Sequence, residues 1–181
     1  GPYVYAANDF SIVQLDAAKD EVKETFYPTN STERIVDLAI YQDSIYALTP
    51  TQLLKGYLPN PILTDYSQWV RDLRLPFQTA HNYTEMELFQ SRLVVLKKSD
   101  AYGSDTVYRI NASDLEIVTN YSFTVEINSI NVVDEYLSVN IDGVINLYND
   151  NLQIPKSYGS GNFVEWFSSA RTARTQAGLW S

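Results

Sequence analysis

The chain has 181 residues, enough to bury a sizeable core in one domain and too few for two large ones. Lys and Arg total 13 against 22 Asp and Glu, a formal charge of −9, which excludes the basic face that nucleic-acid binding needs. At 45% hydrophobic with 14 Tyr the composition is that of a folded chain, and the absence of Cys removes disulfides, thiolate metal sites and thiol nucleophiles together.

No run approaches the roughly 18 apolar residues of a membrane-spanning helix. The first residues show no charged stretch leading into an apolar one, and Gly1-Pro2 reads as the scar of a tag-cleaving protease, so the missing leader says nothing of location. Residues 3–181 are then read as one repeating domain.

In chain order, Val4-Tyr5-Ala6 opens with a strand pattern, and Glu21 to Tyr27 is a more polar strand. Ile35 to Tyr41 leads through the turn Tyr41-Gln42-Asp43-Ser44 into Ile45-Tyr46-Ala47. After Thr49-Pro50-Thr51-Gln52 come a strand over Gln52 to Leu58 and a polar one over Trp69 to Leu73. The same order recurs: Leu93-Val94-Val95 after Phe89-Gln90-Ser91-Arg92, then Thr106 to Ile110 and Leu115 to Ser122. Ile127 to Val133 leads to Leu137-Ser138-Val139, Asp142-Gly143 marks a tight hairpin, and Val144 to Tyr148 follows. Leu179-Trp180-Ser181 starts the pattern again.

Taking Val4, Ile45, Leu93, Leu137 and Leu179 as anchors gives spacings of 41, 48, 44 and 42 residues, the length of one four-stranded propeller blade. One such sheet cannot bury both faces alone, which is why the unit repeats. The expected fold is all-β: a β-propeller of four-stranded antiparallel blades, about four blade-equivalents long. Either the arc belongs to a larger ring or four blades close on themselves; the larger ring is preferred, because four-bladed rings lie at the small end of the range. A sandwich would not produce so even a period.

The residues that could carry chemistry are few. His81 is the only histidine, which removes multi-histidine metal sites, and no Gly-x-Ser-x-Gly elbow or phosphate loop occurs. Gly159-Ser160-Gly161 reads as a connector. Asp100 with Asp105, and Asn149-Asp150-Asn151, could offer oxygen ligands to calcium, but turns call for the same residues and neither stretch has the spacing of a calcium loop, so no metal or cofactor is assigned. Trp69, Trp166 and Trp180 could stack on sugars, against the commoner role of packing between blades. Three binding candidates remain: Tyr102 on its turn, and Arg171 with Arg174, which could meet an anionic group or simply face solvent from an entry strand.

Three motif runs carry a family resemblance. Asp16 to Tyr27, Ile35 to Thr49 and Pro59 to Trp69 resemble the segments D-x-x-K-x-E-[IV]-K-x-T-[FY]-Y, [IV]-x-D-[IL]-A-x-Y-x-D-x-[IL]-Y-A-x-T and P-N-x-x-[LI]-x-D-[FY]-x-x-W of the N-terminal propellers of PorZ-type proteins of the Bacteroidetes type IX secretion system. The departure is at Thr49-Pro50-Thr51-Gln52, where a glycine turn is usual. Propellers of two-component regulators share much of the pattern. The resemblance implies a seven-bladed ring on the extracellular face of the outer membrane, non-catalytic, working beside a sortase-type peptidase and binding anionic lipopolysaccharide. The regulator alternative implies a periplasmic, ligand-sensing propeller.

Overall fold

The computed structural model describes residues 3–30, 32–111, 114–117, 126–141, 144–151, 153–154, 156–158, 173–175 and 178–180. They belong to two compact units, residues 1–84 and 85–181. Apart from one 3-10 turn at Tyr66–Gln68, every regular element among the described residues is a β-strand.

In the first unit, β1 (Tyr3–Asn8), β2 (Ser11–Asp16) and β3 (Glu21–Phe26) form a three-stranded antiparallel meander. A four-stranded meander follows, of β4 (Asp37–Tyr41), β5 (Ser44–Leu48), β6 (Leu53–Tyr57) and β7 (Val70–Arg71). Alternation sends Tyr5, Ile12 and Phe26 from the first sheet, and Ile45, Ala47 and Leu54 from the second, into one core with Ile35, Leu63 and Trp69.

The second unit repeats the plan. β8 (Tyr83–Phe89), most of which belongs to it, is followed by β9 (Arg92–Lys97), β10 (Thr106–Ile110) and β11 (Leu115–Ile117) in one sheet. β12 (Ile127–Val133), β13 (Tyr136–Ile141), β14 (Val144–Tyr148) and β15 (Lys156–Tyr158) form the next, and β16 (Ala173–Thr175) pairs with β17 (Gly178–Trp180). Its core is filled by Phe89, Val94, Leu96, Ile130, Leu137 and Val139. Ile141 pairs with Val144 across Asp142-Gly143, which lie outside the described residues.

A recurring contact fixes which strand is which. The Tyr83 amide, opening β8, donates to the Pro50 carbonyl in the β5–β6 loop, and the Ile127 amide, opening β12, donates to the Asp105 carboxylate in the β9–β10 loop. Each of those loops joins the second and third strands of its sheet. The Ile35 amide, just ahead of β4, donates in the same way to the Asp9 carbonyl in the β1–β2 loop. By this correspondence β1, β2 and β3 are second, third and fourth strands. Val4 therefore sits on a second strand, as do Ile45, Leu93 and Leu137; unlike those buried residues it is 51% exposed, because it lies on the face opposite Tyr5, turned away from the core. Leu179 is on the second strand of its pair.

Two local differences have clear causes. The strand expected over Trp69 to Leu73 shortens to Val70–Arg71, because Trp69 turns inward to the core and Asp72 folds its carboxylate back onto Arg74. The Thr49-Pro50-Thr51-Gln52 turn closes without glycine. Thr49 Oγ1 accepts the amides of Thr51 and Gln52, and the Glu33 carboxylate accepts from the Thr51 amide, the Thr51 hydroxyl and Gln52 Nε2. Side-chain acceptors here do what a left-handed glycine does elsewhere.

Candidate interaction loops

The loop between β9 and β10 carries Tyr102. Its base is built on Asp105, whose nearly buried carboxylate accepts from the Ser99 amide at 2.8 Å, the Ile127 amide at 3.0 Å and the Lys98 ammonium. Lys98 Nζ also donates to the Ile127 carbonyl at 2.7 Å. Within the loop, Ser99 Oγ accepts the Ala101 amide and the Ser104 amide donates to the Ala101 carbonyl. Gly103 supplies the one left-handed glycine of the described chain, φ 72°, and is itself buried. To solvent the loop shows the Tyr102 ring, 63% exposed, beside exposed Asp100, Ala101 and Ser104.

In this stretch Asp105 accepts from two amides and a lysine, Asp100 is exposed, and among the described residues no group of three or more metal-ligating side chains occurs. Asn149 Oδ1 likewise accepts the amides of Asn151 and Gln153, the turn role of an asparagine. His81 is exposed, with φ 53°, and among the described residues no acid or nucleophile is joined to it.

Arg171 lies outside the described residues. Arg174 is in β16, paired with Leu179, and its side chain is likewise outside them. Trp69 is a core residue, whereas Trp166, and the side chain of Trp180 on β17, fall outside the described part.

The structure also gives a shape to residues 58–69 between β6 and β7, the stretch that holds the Pro59 to Trp69 motif. It is folded on itself: the Leu63 amide donates to the Asn60 carbonyl, the Asp65 amide to Ile62 and the Trp69 amide to Tyr66. Asn60 Oδ1 accepts the Ile62 amide, its Nδ2 donates to Gln68, and the Asp65 carboxylate caps the 3-10 turn at Ser67. Underneath, Trp69 Nε1 donates to the Leu63 carbonyl at 3.0 Å and both side chains are buried. The inward set is matched by an outward apolar one: Tyr57 at the loop's entry is 54% exposed, Ile62 56% and Tyr66 49%. Two prolines and an Asn-Asp pair in a connection longer than antiparallel neighbours need are the sequence signal for such a loop.

The strongest electrostatic features hold structure together. Burial pushes the Asp72 carboxyl up, but the hydrogen bonds and charge of Arg74 outweigh it and hold the group below the usual carboxylate range. Arg109, hydrogen-bonded to Glu116 across β10 and β11, likewise lowers that carboxyl. Burial raises the Tyr108 hydroxyl.

No protein-family model matches the chain, and no curated protein sequence matches it. Solved structures do. The chain is similar to PorZ, a bacterial surface component of the type IX secretion system of Porphyromonas gingivalis, with a TM-score of 0.66 and 19% identity over 89% of this chain. It is also similar to the β-propeller domain of Cps50 (Swd1) from Myceliophteria thermophila, with a TM-score of 0.59, at 11% identity over 95% of this chain and 54% of that one. The fold is a β-propeller. A third likeness, with a TM-score of 0.53 and 16% identity over 84% of this chain, is to the extracellular domain of the putative hybrid two-component system BT4673 from B. thetaiotaomicron, of which the chain spans 20%. It spans the same share, 20%, of the PorZ structure. The likeness to PorZ that the motif runs between Asp16 and Trp69 suggest in sequence is thus met in three dimensions, and within each unit the described strands pair as antiparallel neighbours.

Proposed function

We propose that this propeller is a non-catalytic recognition domain of a cell-surface type IX secretion component, displayed outside the outer membrane and working through contact with protein partners. The observation that carries the reading is the likeness to PorZ over 89% of the chain, beside the motif runs Asp16 to Tyr27, Ile35 to Thr49 and Pro59 to Trp69. Recognition in place of catalysis fits loops whose polar groups are spent on their own backbone while aromatic rings face solvent. A sortase-type peptidase is the partner suggested by resemblance. Anionic lipopolysaccharide is the less favoured one for this segment, because a charge of −9 slows its encounter with an anionic glycan. The sensor reading is supported by the likeness to BT4673, whose TM-score of 0.53 falls below the 0.66 for PorZ.

Deleting this segment in frame from the full-length protein in its own host tests the proposal. Surface attachment of type IX cargo should fall while transcription is unchanged. Normal cargo attachment with loss of a ligand-induced transcriptional response would replace it with the sensor reading.

A further inference from the structure

Second strands in this chain are buried on both faces, with one exception. β5 buries Ile45 and Ala47 on one face and Tyr46 and Leu48 on the other; β9 buries Val94 and Leu96 against Leu93 and Val95, and β13 Leu137 and Val139 against Ser138 and Asn140. Each also has a first strand along its edge, β4, β8 or β12. β1 is a second strand by the same correspondence, yet it is the edge of its sheet and, Tyr5 apart, exposed along its length. The face it turns away from the core is a continuous apolar patch. Val4 stands opposite Leu15 and Leu15 opposite Val22, one row across three strands, and Ala6, Val13 and Thr25 form the next. Val4 is 51% exposed and Val22 61%, while Val13 and Leu15 are half-buried. Asp16, Glu21 and Glu24 fall on the core side of the register. Charge enters at the margins of the patch, with Lys23, which the register shift leaves unpaired beside Val22, and with Lys19 and Asp20 in the β2–β3 turn.

The two edges of this sheet are built differently. β3, the outer edge, carries Glu21, Lys23 and Glu24 and a register shift, the charges and irregularity that keep a free edge from pairing. β1 has neither a charge nor a proline in its six residues and pairs with β2 in unbroken register, so its free side is ready for another strand. We infer that β1 is a joint inside the full-length protein: polypeptide of the same chain outside residues 1–181 pairs a strand with its free edge and packs a sheet on the Val4, Leu15 and Val22 face. The chain spans 20% of the PorZ structure it matches, which leaves room for further sheets of this kind. Two copies joined edge to edge through β1 would pair the strands but leave the Val4 row bare, so self-association meets half of what the surface requires. It follows that this face is closed to other proteins, and recognition is left to the loops. The inference rests on the fold and the burial pattern, and not on the secretion reading.

Hydrogen exchange of the unmodified full-length protein, purified alone, reads the pairing. An edge strand protects only alternate amides. The inference expects every amide of β1 to exchange as slowly as those of β5, the outward-facing ones at least about tenfold slower than amides of the β3 edge. The rates should be the same at protein concentrations about tenfold apart, because the pairing lies within one chain. p-Benzoyl-phenylalanine at Val22, with Tyr102 as the exposed control, then identifies what covers the face. An adduct within one polypeptide, mapped by mass spectrometry to a peptide outside residues 1–181, is expected at Val22 and not at Tyr102. Fast exchange at alternate β1 amides overturns the inference, as does protection that grows with concentration. Adducts from Val22 to a second copy, to another protein or to residues within 1–181 overturn it equally. Because exchange is read on the unmodified protein, the test survives a crosslinker variant that fails to fold, and none of these outcomes bears on the secretion reading.

Discussion

Replacing Gly56 by alanine separates two opposing effects whose signs differ. Glycine inside a strand is normally about 0.5–1 kcal/mol less stable than alanine, so in an open position Gly56→Ala would stabilise the chain. Here the added methyl meets Leu63 Cδ1 at 2.9 Å and two atoms of the Trp69 ring at 3.2 Å. Leu63 is 1% exposed, and the indole is fixed by its hydrogen bond to the Leu63 carbonyl, so neither can swing aside without moving the loop. Overpacking of this kind costs about 1–3 kcal/mol. The net expectation is a loss of about 0–2.5 kcal/mol, centred near 1, read as a fall in melting temperature of about 2–4 °C per kcal/mol for a chain of this size. Thermal melts followed by tryptophan fluorescence and circular dichroism measure it. In a Leu63→Ala background, where the clashing methyl is gone, the penalty should shrink. A Gly56→Ala chain as stable as the parent, or more so, refutes the claim that the loop is clamped onto β6.

Three further outcomes follow from the same contacts. Asp105→Ala removes the acceptor for the Ser99 and Ile127 amides and strands Lys98, so stability in urea should fall by about 2–4 kcal/mol, with faster amide exchange at Ser99 and Ile127; unchanged exchange there would count against the staple. Because the folded Asp72 carboxyl is held below its ordinary value near 3.8, its stabilising contribution is full above that pH and is lost as the pH falls through the lower folded value. The advantage of the parent over Asp72→Asn should therefore vanish only in strong acid, and an advantage independent of pH would contradict the pairing with Arg74. Calorimetric titration with anionic lipopolysaccharide should show no tight saturable binding, and binding that strengthens at low salt would return Arg171 and Arg174 to the head of the candidates.

Much of the architecture was legible because second strands advertise themselves. Ile45, Leu93 and Leu137 each follow a short polar turn and head a run of buried residues, and their spacing carries the blade period. β2 is harder to see. Its buried side includes Gln14, which donates to the Tyr5 hydroxyl, and Asp16, which accepts the Ala18 and Lys19 amides, so polar residues stand where the period calls for apolar ones. The 58–69 loop was hidden for a different reason. Loops have no period, so nothing in the order Ile62-Leu63 says which side chain faces inward; only the position of Trp69 beneath the loop decides it. Tyr102 was found by its turn residues, but the fastening of that turn by Asp105 to β12 is a contact across 22 positions that no local pattern announces.

The central claim, that this propeller works outside the outer membrane, is tested most directly by labelling intact host cells with a membrane-impermeant amine reagent. Lys19, Lys23 and Lys55 are exposed and would serve as reporters. The account predicts that these lysines are modified in the full-length protein while a periplasmic marker stays unlabelled. Lysines protected until the outer membrane is permeabilised would contradict it and place the domain in the periplasm.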